Sequence, residues 1–238
     1  MPTRNRKRHS GEGPFEESPG KLLLVGGNED RSGEMDVLRA FAAEAGGAEA
    51  RIEVITTASS EPLQRWIEYE RAFGKIGVSY VAPMHIGSRA DAATPEFLER
   101  IAESTAVFFS GGDQLRITSI LGATPVMEAV RRHYFGGGRL VGGTSAGAAA
   151  LTSTIIYDGE SPEALRKGAV MMTGGLGLVS KAVVDTHFMT RGRIGRLIQV
   201  VAGNPRLIGI GLGEDTGILM TGRSRFRVMG SGLVLSLI

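Results

Sequence analysis

Residues 139–151 read Arg139-Leu140-Val141-Gly142-Gly143-Thr144-Ser145-Ala146-Gly147-Ala148-Ala149-Ala150-Leu151. A short apolar run leads into a Gly-x-Ser-x-Gly pattern centred on Ser145, and an alanine-rich segment suited to starting a helix follows. This pattern is typical of a strand that enters a sharp turn and reverses into a helix, with the serine exposed at the turn. The stretch therefore predicts an α/β fold and a candidate nucleophile, Ser145.

On both sides of this stretch, apolar runs of strand length alternate with segments of helical length. The predicted strands are 22–25, 50–57, 78–83 and 105–109, and the predicted helices are 36–45, 62–73, 95–104 and 124–134. This alternation indicates βαβ units, and we predict a three-layer α/β/α sandwich with a mostly parallel sheet. Glycine pairs at 26–27, 111–112 and 142–143 are predicted to end three strands at one sheet edge, where sites in such folds form.

Composition limits the possible classes of function. The 238 residues suit a single domain over 21–238, preceded by a basic, polar segment, 1–20, that we predict to be a disordered tail. The chain has no cysteine, which excludes disulfides, zinc–thiolate sites and a thiol nucleophile and makes the cytoplasm the expected location. The net charge of +2 and the lack of a long apolar run lead us to expect no nucleic-acid or membrane partner. We also expect no cofactor and no metal.

A serine hydroxyl needs a base to become a nucleophile, and the chain has four histidines. His187 is the first candidate, because it lies in the segment 182–188, at the end of a predicted strand and before a helix, at the edge where the site is expected. His85 also follows a predicted strand and is the second candidate. His133 lies late in a predicted helix, where we expect it to cap the helix or face solvent, and His9 lies in the tail.

The base in turn needs an acid, and three carboxylates are candidates. Glu214 and Asp215 end an apolar, glycine-spaced run from 208, and Asp185 ends the run before His187. Spacing alone does not choose among the three. For the oxyanion of an acyl-transfer reaction, the expected donors are the backbone amides of Gly111 or Gly112 and of Ala146.

Three arginines, Arg191, Arg193 and Arg196, follow His187 closely. They form either a solvated helix face or a site that recognises a substrate carboxylate, because guanidinium groups bind carboxylates through two parallel hydrogen bonds.

Four blocks of this sequence together resemble the cyanophycinase family of serine peptidases, family S51, which is related to peptidase E. The blocks are 108–114, 142–148, 185–197 and 209–216, and the resemblance runs from about residue 21 to 232. It implies a flavodoxin-like sheet similar to that of class I glutamine amidotransferases. A glutamine amidotransferase itself is excluded, because its nucleophile is a cysteine.

The resemblance implies a catalytic triad of Ser145, His187 and Glu214. It also implies a homodimeric exopeptidase that cleaves cyanophycin, a polyaspartate with arginine on each side-chain carboxylate, to β-Asp-Arg dipeptides through an acyl-enzyme. The residues expected around the substrate are Asp113, Gln114, Thr144, Asp185, Thr186, Arg191, Arg193 and Arg196. Asp158 and Glu160 are expected to meet the substrate guanidinium.

The sequence departs from the family in two places. Many relatives have glutamine where this chain has Thr186, which leaves the fine substrate preference open. The chain ends in the apolar segment 230–238, where relatives usually continue, so that it is either a shortened product or has a last strand that pairs elsewhere. Two alternative functions are a peptidase E-like dipeptidase that cleaves small aspartyl peptides and a non-catalytic binding module on the same fold.

Overall fold

A computed structural model describes residues 20–159, 168–222 and 225–238. The predicted tail, apart from Gly20, and Glu160 lie outside these ranges. The larger strands and the helices on them are β1 Lys21–Val25, α1 Asp36–Ala45, β2 Arg51–Ile55, α2 Pro62–Ile76, β3 Tyr80–Met84, α3 Pro95–Glu103, β4 Ala106–Phe109, α4 Gln114–Leu121, α5 Pro125–Arg131, β5 Leu140–Thr144 and α6 Ala146–Ala150. The remaining elements are β6 Thr154–Asp158, β7 Met171–Gly174, β8 Ala182–Asp185, α7 Ile194–Gly203, β9 Ile208–Leu212, β10 Thr216–Thr221, β11 Arg225–Gly230 and β12 Val234–Leu237.

The main sheet has seven strands in the order β11-β10-β1-β5-β4-β2-β3. The five strands from β1 to β3 are parallel, and β10 and β11 join them antiparallel at one edge. Strands β1, β5 and β4 are neighbours, so the loops that follow them meet at one edge of the sheet. This arrangement confirms the predicted mostly parallel sheet.

Helices cover both faces of this sheet, because successive side chains of a strand point to opposite faces. Leu23 and Val25 of β1 pack on the face covered by α1 and α2, where the rings of Phe41 and Phe108 lie 5.0 Å apart. Leu22 and Leu24 pack on the other face, against helices that include α4, α5 and α6. Burying an aromatic or branched side chain in this way contributes about 1.5–3 kcal/mol. The three predicted layers are therefore present.

Two small sheets lie beside the main one. Strands β12, β9 and β8 form the first, with β8 parallel and β12 antiparallel to β9, and β6 and β7 form an antiparallel pair. The apolar segment 230–238 thus contains a strand with a partner. Its residues Val234–Leu237 form β12, which pairs with β9, and Val234 lies opposite Leu212.

Several predicted boundaries were wrong. Gly142 and Gly143 lie inside β5 rather than after it. Glycine is needed at position 142 because the rings of Phe41 and Phe108 pack against its backbone, and a Cβ there would lie 2.5 Å from Phe41 Cε2. Strand β8 ends at Asp185, two residues before His187, which adopts a positive φ of 49°. The predicted helix 124–134 is α-helical only over Pro125–Arg131, and Arg132–Gly136 form a π-helical turn after it.

Across the described ranges, no helix combines the length and apolar character needed to cross a membrane. Within the same ranges, histidine, aspartate and glutamate form no group of three or more that could hold a metal ion.

Candidate active site

Ser145 occupies a strained turn between β5 and α6. Its φ and ψ are 52° and −120°, a conformation that residues with a side chain seldom adopt. The Ser145 amide donates to Val25 O at 2.9 Å, which ties the turn to β1. A Cβ at Gly147 would lie 2.4 Å from Phe109 O, so the helix can start beside β4 only without a side chain there. The fold thus holds the serine at the end of a central strand.

His187 lies against this serine. Its Nε2 is 2.8 Å from Ser145 Oγ, and its backbone amide donates to Gly26 O at 2.7 Å. The ring fits because residue 27 is glycine: with φ at +98°, a Cβ at Gly27 would lie 2.4 Å from His187 Nε2. The loop after β1 therefore determines how close the imidazole comes to Ser145.

Glu214 completes a chain of contacts to the serine. Its Oε1 lies 2.7 Å from His187 Nδ1, and its Oε2 accepts a hydrogen bond from Asn28 Nδ2 at 3.2 Å. The hydrogen bond from His187, aided by that from Asn28, lowers the pKa of Glu214 below its usual range, although burial opposes this shift. Glu214 is therefore a carboxylate at neutral pH that can orient and stabilise a protonated imidazole.

The other two candidate acids have different partners. Asp215 Oδ1 accepts from the Asp30 amide at 2.9 Å, and its Oδ2 accepts from the Ser231 hydroxyl at 2.7 Å. The carboxylate of Asp185 is bound by arginines. Neither group contacts His187 in the described part of the chain, so the structure brings only Glu214 of the three to the imidazole.

The other described histidines lie elsewhere. His85 follows β3 at the outer edge of the sheet, where its Nδ1 is 2.7 Å from Thr56 Oγ1 and burial lowers its pKa. The expectation that His133 caps a helix or faces solvent was wrong. It is buried, with its two ring nitrogens each 3.2 Å from a backbone carbonyl, because the π-helical turn directs it inward.

The expected oxyanion donors surround Ser145. Gly111 and Gly112 follow β4, and a Cβ on Gly111 would lie 3.2 Å from Ser145 Cβ, so this loop passes directly beside the serine. Ala146 is the first residue of α6, where a backbone amide has no partner within the helix. The residues expected to supply oxyanion donors thus belong to the two segments that adjoin Ser145.

A pocket of about 400 Å³ opens over the serine. Its lining residues are Asn28, Glu29, Arg31, Arg65, Tyr69, Gly111, Gly112, Thr144, Ser145, His187, Arg191 and Glu214. The first five of these were missed in the sequence. Residues 28–31 follow the first glycine pair, a signal that could have identified them, whereas Arg65 and Tyr69 lie on α2 in no recognisable motif.

Among the residues expected around the substrate, Asp185 and Arg196 are buried and form a cluster with the half-buried Arg193. Arg196 binds both oxygens of Asp185, with Nε 2.6 Å from Oδ2, and Arg193 Nη1 lies 3.3 Å from Oδ1. Arg193 also donates to Thr186 O at 2.6 Å. Burial, together with the neighbouring Arg196 and Arg191, lowers the pKa of Arg193 to about 10, although Asp185 raises it. As far as the described residues show, these three side chains lie outside the pocket lining.

The other expected residues are divided between the pocket and its surroundings. Arg191 lines the pocket, and so does Thr144, whose hydroxyl donates to Glu29 Oε2 at 2.5 Å. Asp113 caps α4 by accepting from the Leu115 amide at 2.7 Å, and Gln114 Nε2 donates to Ile156 O at 3.3 Å. Thr186 is buried, and Asp158 is exposed at the end of β6. The structure does not place Asp113, Gln114, Asp158 or Thr186 on the pocket lining.

Comparison with known proteins identifies the family. The model of peptidase family S51 matches residues 22–228, which is most of the chain. The chain belongs to peptidase family S51. Among its S51 relatives, the cyanophycinase of Synechococcus elongatus is 39% identical over 215 residues, covering 90% of this chain and 67% of the relative. The cyanophycinase of Trichormus variabilis is 38% identical over 213 residues, covering 90% and 72%.

A solved structure shares the fold. The crystal structure of a peptidase from an acI-B1 Actinobacterium superposes with a TM-score of 0.69 at 21% identity, covering 92% of this chain and 90% of the other. This S51 chain is thus a serine-type peptidase with the three-layer fold predicted from its sequence.

Proposed function

We propose that this protein hydrolyses the polyaspartate backbone of cyanophycin to β-Asp-Arg dipeptides through an acyl-enzyme. The observation that carries the proposal is the continuous set of contacts from Ser145 Oγ to His187 Nε2 at 2.8 Å and from His187 Nδ1 to Glu214 Oε1 at 2.7 Å. The substrate class is supported by the relatives named cyanophycinase, which are 38–39% identical over 90% of the chain.

The mechanism follows from the direction of these contacts. Since ionised Glu214 can only accept, it holds the Nδ1 proton of His187 and leaves Nε2 free to accept the Ser145 proton. Ser145 Oγ then attacks the carbonyl carbon, and the oxyanion is stabilised by the amides of Ala146 and of Gly111 or Gly112. The imidazolium, stabilised by Glu214, protonates the leaving amine, and water releases the acyl group by the same steps.

Recognition of the substrate needs charges of both signs, because each β-Asp-Arg unit carries a free carboxylate and a guanidinium. Arg191, which lines the pocket, is the proposed partner of a substrate carboxylate. Asp185, Arg193 and Arg196 are proposed to hold the wall behind His187. Contacts of the substrate with Asp113, Gln114, Thr186, Asp158 and Glu160 stay predictions.

The alternative functions have less support. A peptidase E-like dipeptidase is not favoured, since the curated relatives compared above are cyanophycinases. A non-catalytic binding module would not need the strained serine or the contact of its hydroxyl with an imidazole.

The proposal also includes a homodimer in the cytoplasm that binds neither nucleic acid nor membranes. Light scattering tests the homodimer, and fractionation of cells tests the cytoplasmic location.

The central experiment incubates purified protein with cyanophycin granules and identifies the released product by mass. We expect β-Asp-Arg from the wild type and a loss of about 10⁶ in rate for Ser145→Ala. The matched control is Ser231→Ala, because its hydroxyl also has a hydrogen-bond partner, Asp215 Oδ2, but the residue lies outside the pocket lining. A Ser145→Ala protein that keeps a tenth of the activity would exclude the serine mechanism.

A further inference from the structure

The pocket has a second group of charged side chains besides Arg191. Arg31 comes from the loop after β1 and Arg65 from α2, and both line the same pocket as Ser145. We call these two residues the arginine pair. The mechanism proposed above uses neither of them.

The arginine pair is held in place by its neighbours. Arg31 Nη1 and Arg65 Nη1 both donate to Glu68 Oε2, at 3.0 and 2.6 Å, and the Arg31 guanidinium carbon lies 5.4 Å from the centre of the Tyr69 ring. Arg31 also interacts with the Tyr69 side chain. Since each guanidinium has five N–H donors, the shared Glu68 acceptor and Tyr69 still leave several of them available. Arg65 Nε is buried and has no hydrogen-bond partner among the described residues.

A buried carboxylate lies beside the arginine pair. Glu29 accepts from the Tyr69 and Thr144 hydroxyls, both at 2.5 Å, and it lines the pocket as well. This side of the pocket therefore offers two guanidinium groups and one carboxylate near the nucleophile. Such a surface matches a ligand that carries both signs of charge better than a simple anion.

The arginine pair and Arg191 come from different layers of the fold. Helix α2 packs on the sheet face that contains Phe41 and Phe108, whereas β8, which precedes Arg191 in the chain, packs with α6 on the other face. The two groups of arginines thus reach the pocket from the two sides of the sheet edge that carries Ser145.

We propose that the arginine pair forms a second carboxylate-binding subsite, across Ser145 from Arg191. This inference rests on the proposed function: each β-Asp-Arg unit has one free carboxylate, so a bond between two units is flanked by two. Arg191 binds the carboxylate of one unit, and Arg31 and Arg65 bind that of the other. Arginine favours this role because its planar fork matches a carboxylate.

The test measures binding without turnover. In a Ser145→Ala background, calorimetry gives the affinity for a two-unit peptide, (β-Asp-Arg)₂, with both arginine carboxylates free or with either one amidated. Each amide removes a charge-assisted contact, so we expect it to weaken binding about 10- to 100-fold. Adding Arg65→Met or Arg31→Met should abolish the effect of one amide and keep that of the other, and adding Arg191→Met should give the reverse pattern.

The matched control is Arg71→Met, because Arg71 lies exposed on α2 outside the pocket lining and should leave both amide effects unchanged. The subsite is refuted if Arg65→Met and Arg31→Met keep both effects or remove the same one as Arg191→Met. Two positions are used so that a failure of one variant to fold leaves the other to decide. The proposed function is judged separately by wild-type turnover of the peptide: no turnover with an intact binding pattern would refute the function and keep the subsite.

Discussion

Gly27 is the position where one added methyl group should separate the base from the nucleophile. A Cβ at this residue would lie 2.4 Å from His187 Nε2 and 2.5 Å from Cε1, whereas ordinary contacts begin near 3.4 Å. The ring must therefore retreat by roughly 1 Å, which lengthens the 2.8 Å contact with Ser145 Oγ beyond hydrogen-bonding distance. A misplacement of this size costs about 100-fold in rate, so we expect Gly27→Ala to lose at least that much in kcat.

The strain of the Gly27 backbone needs its own control, since an alanine at a positive φ is strained even where its Cβ meets no other atom. Gly77 has nearly the same φ, +97° against +98°, but a Cβ there meets no atom within 4 Å. Gly77→Ala should thus lose roughly 1–2 kcal/mol of stability from the left-handed backbone alone and keep its activity.

The assay compares both variants for cyanophycin hydrolysis, for labelling of Ser145 by a fluorophosphonate and for thermal unfolding. We expect similar unfolding temperatures for the two variants, with labelling and hydrolysis lost only in Gly27→Ala. If Gly27→Ala keeps more than about a third of the kcat of Gly77→Ala, the ring is not held by this contact and the reasoning fails.

Three further predictions concern carboxylates. Glu214→Gln should lower kcat by about 10⁴, whereas Asp215→Asn should mainly lower the melting temperature; a larger rate loss for Asp215→Asn would show that the acid is wrongly assigned. Asp185→Asn should lower the free energy of unfolding by about 3 kcal/mol in urea titrations, since it leaves buried arginine charge uncompensated; unchanged stability with a raised KM would instead place this side chain on the substrate. Four backbone amides, with that of Gly33 contributing most, lower the pKa of Asp30 from 3.8 to about 2, so the melting-temperature difference between wild type and Asp30→Asn should be full above pH 3.8 and disappear as the pH falls through about 2. A difference that persists at lower pH would contradict this origin.

The sequence by itself determined the layers of the fold and pointed to Ser145 as the candidate nucleophile. Both depend on neighbours along the chain: apolar runs alternate with helical segments, and Ser145 lies within five consecutive residues of a recognisable turn. The candidate base could be ranked as well: His85 and His187 both follow predicted strands, but only His187 leads into the arginine cluster. Boundaries were less accurate, since the packing of Phe41 and Phe108 rings against Gly142 extends β5 beyond its glycines.

Only the tertiary structure decided which side chains are partners. Glu214 and Asp215 are adjacent in the chain, yet one contacts His187 and the other binds the Asp30 amide, because the backbone turns at Asp215 with φ at 46°. Arg65 had no signal in the sequence, and its link to Arg31 runs through Glu68, which is 37 positions from Arg31. Periodicity records which face of a strand or helix is buried, whereas the meeting of distant polar groups depends on how the layers pack and where each loop turns.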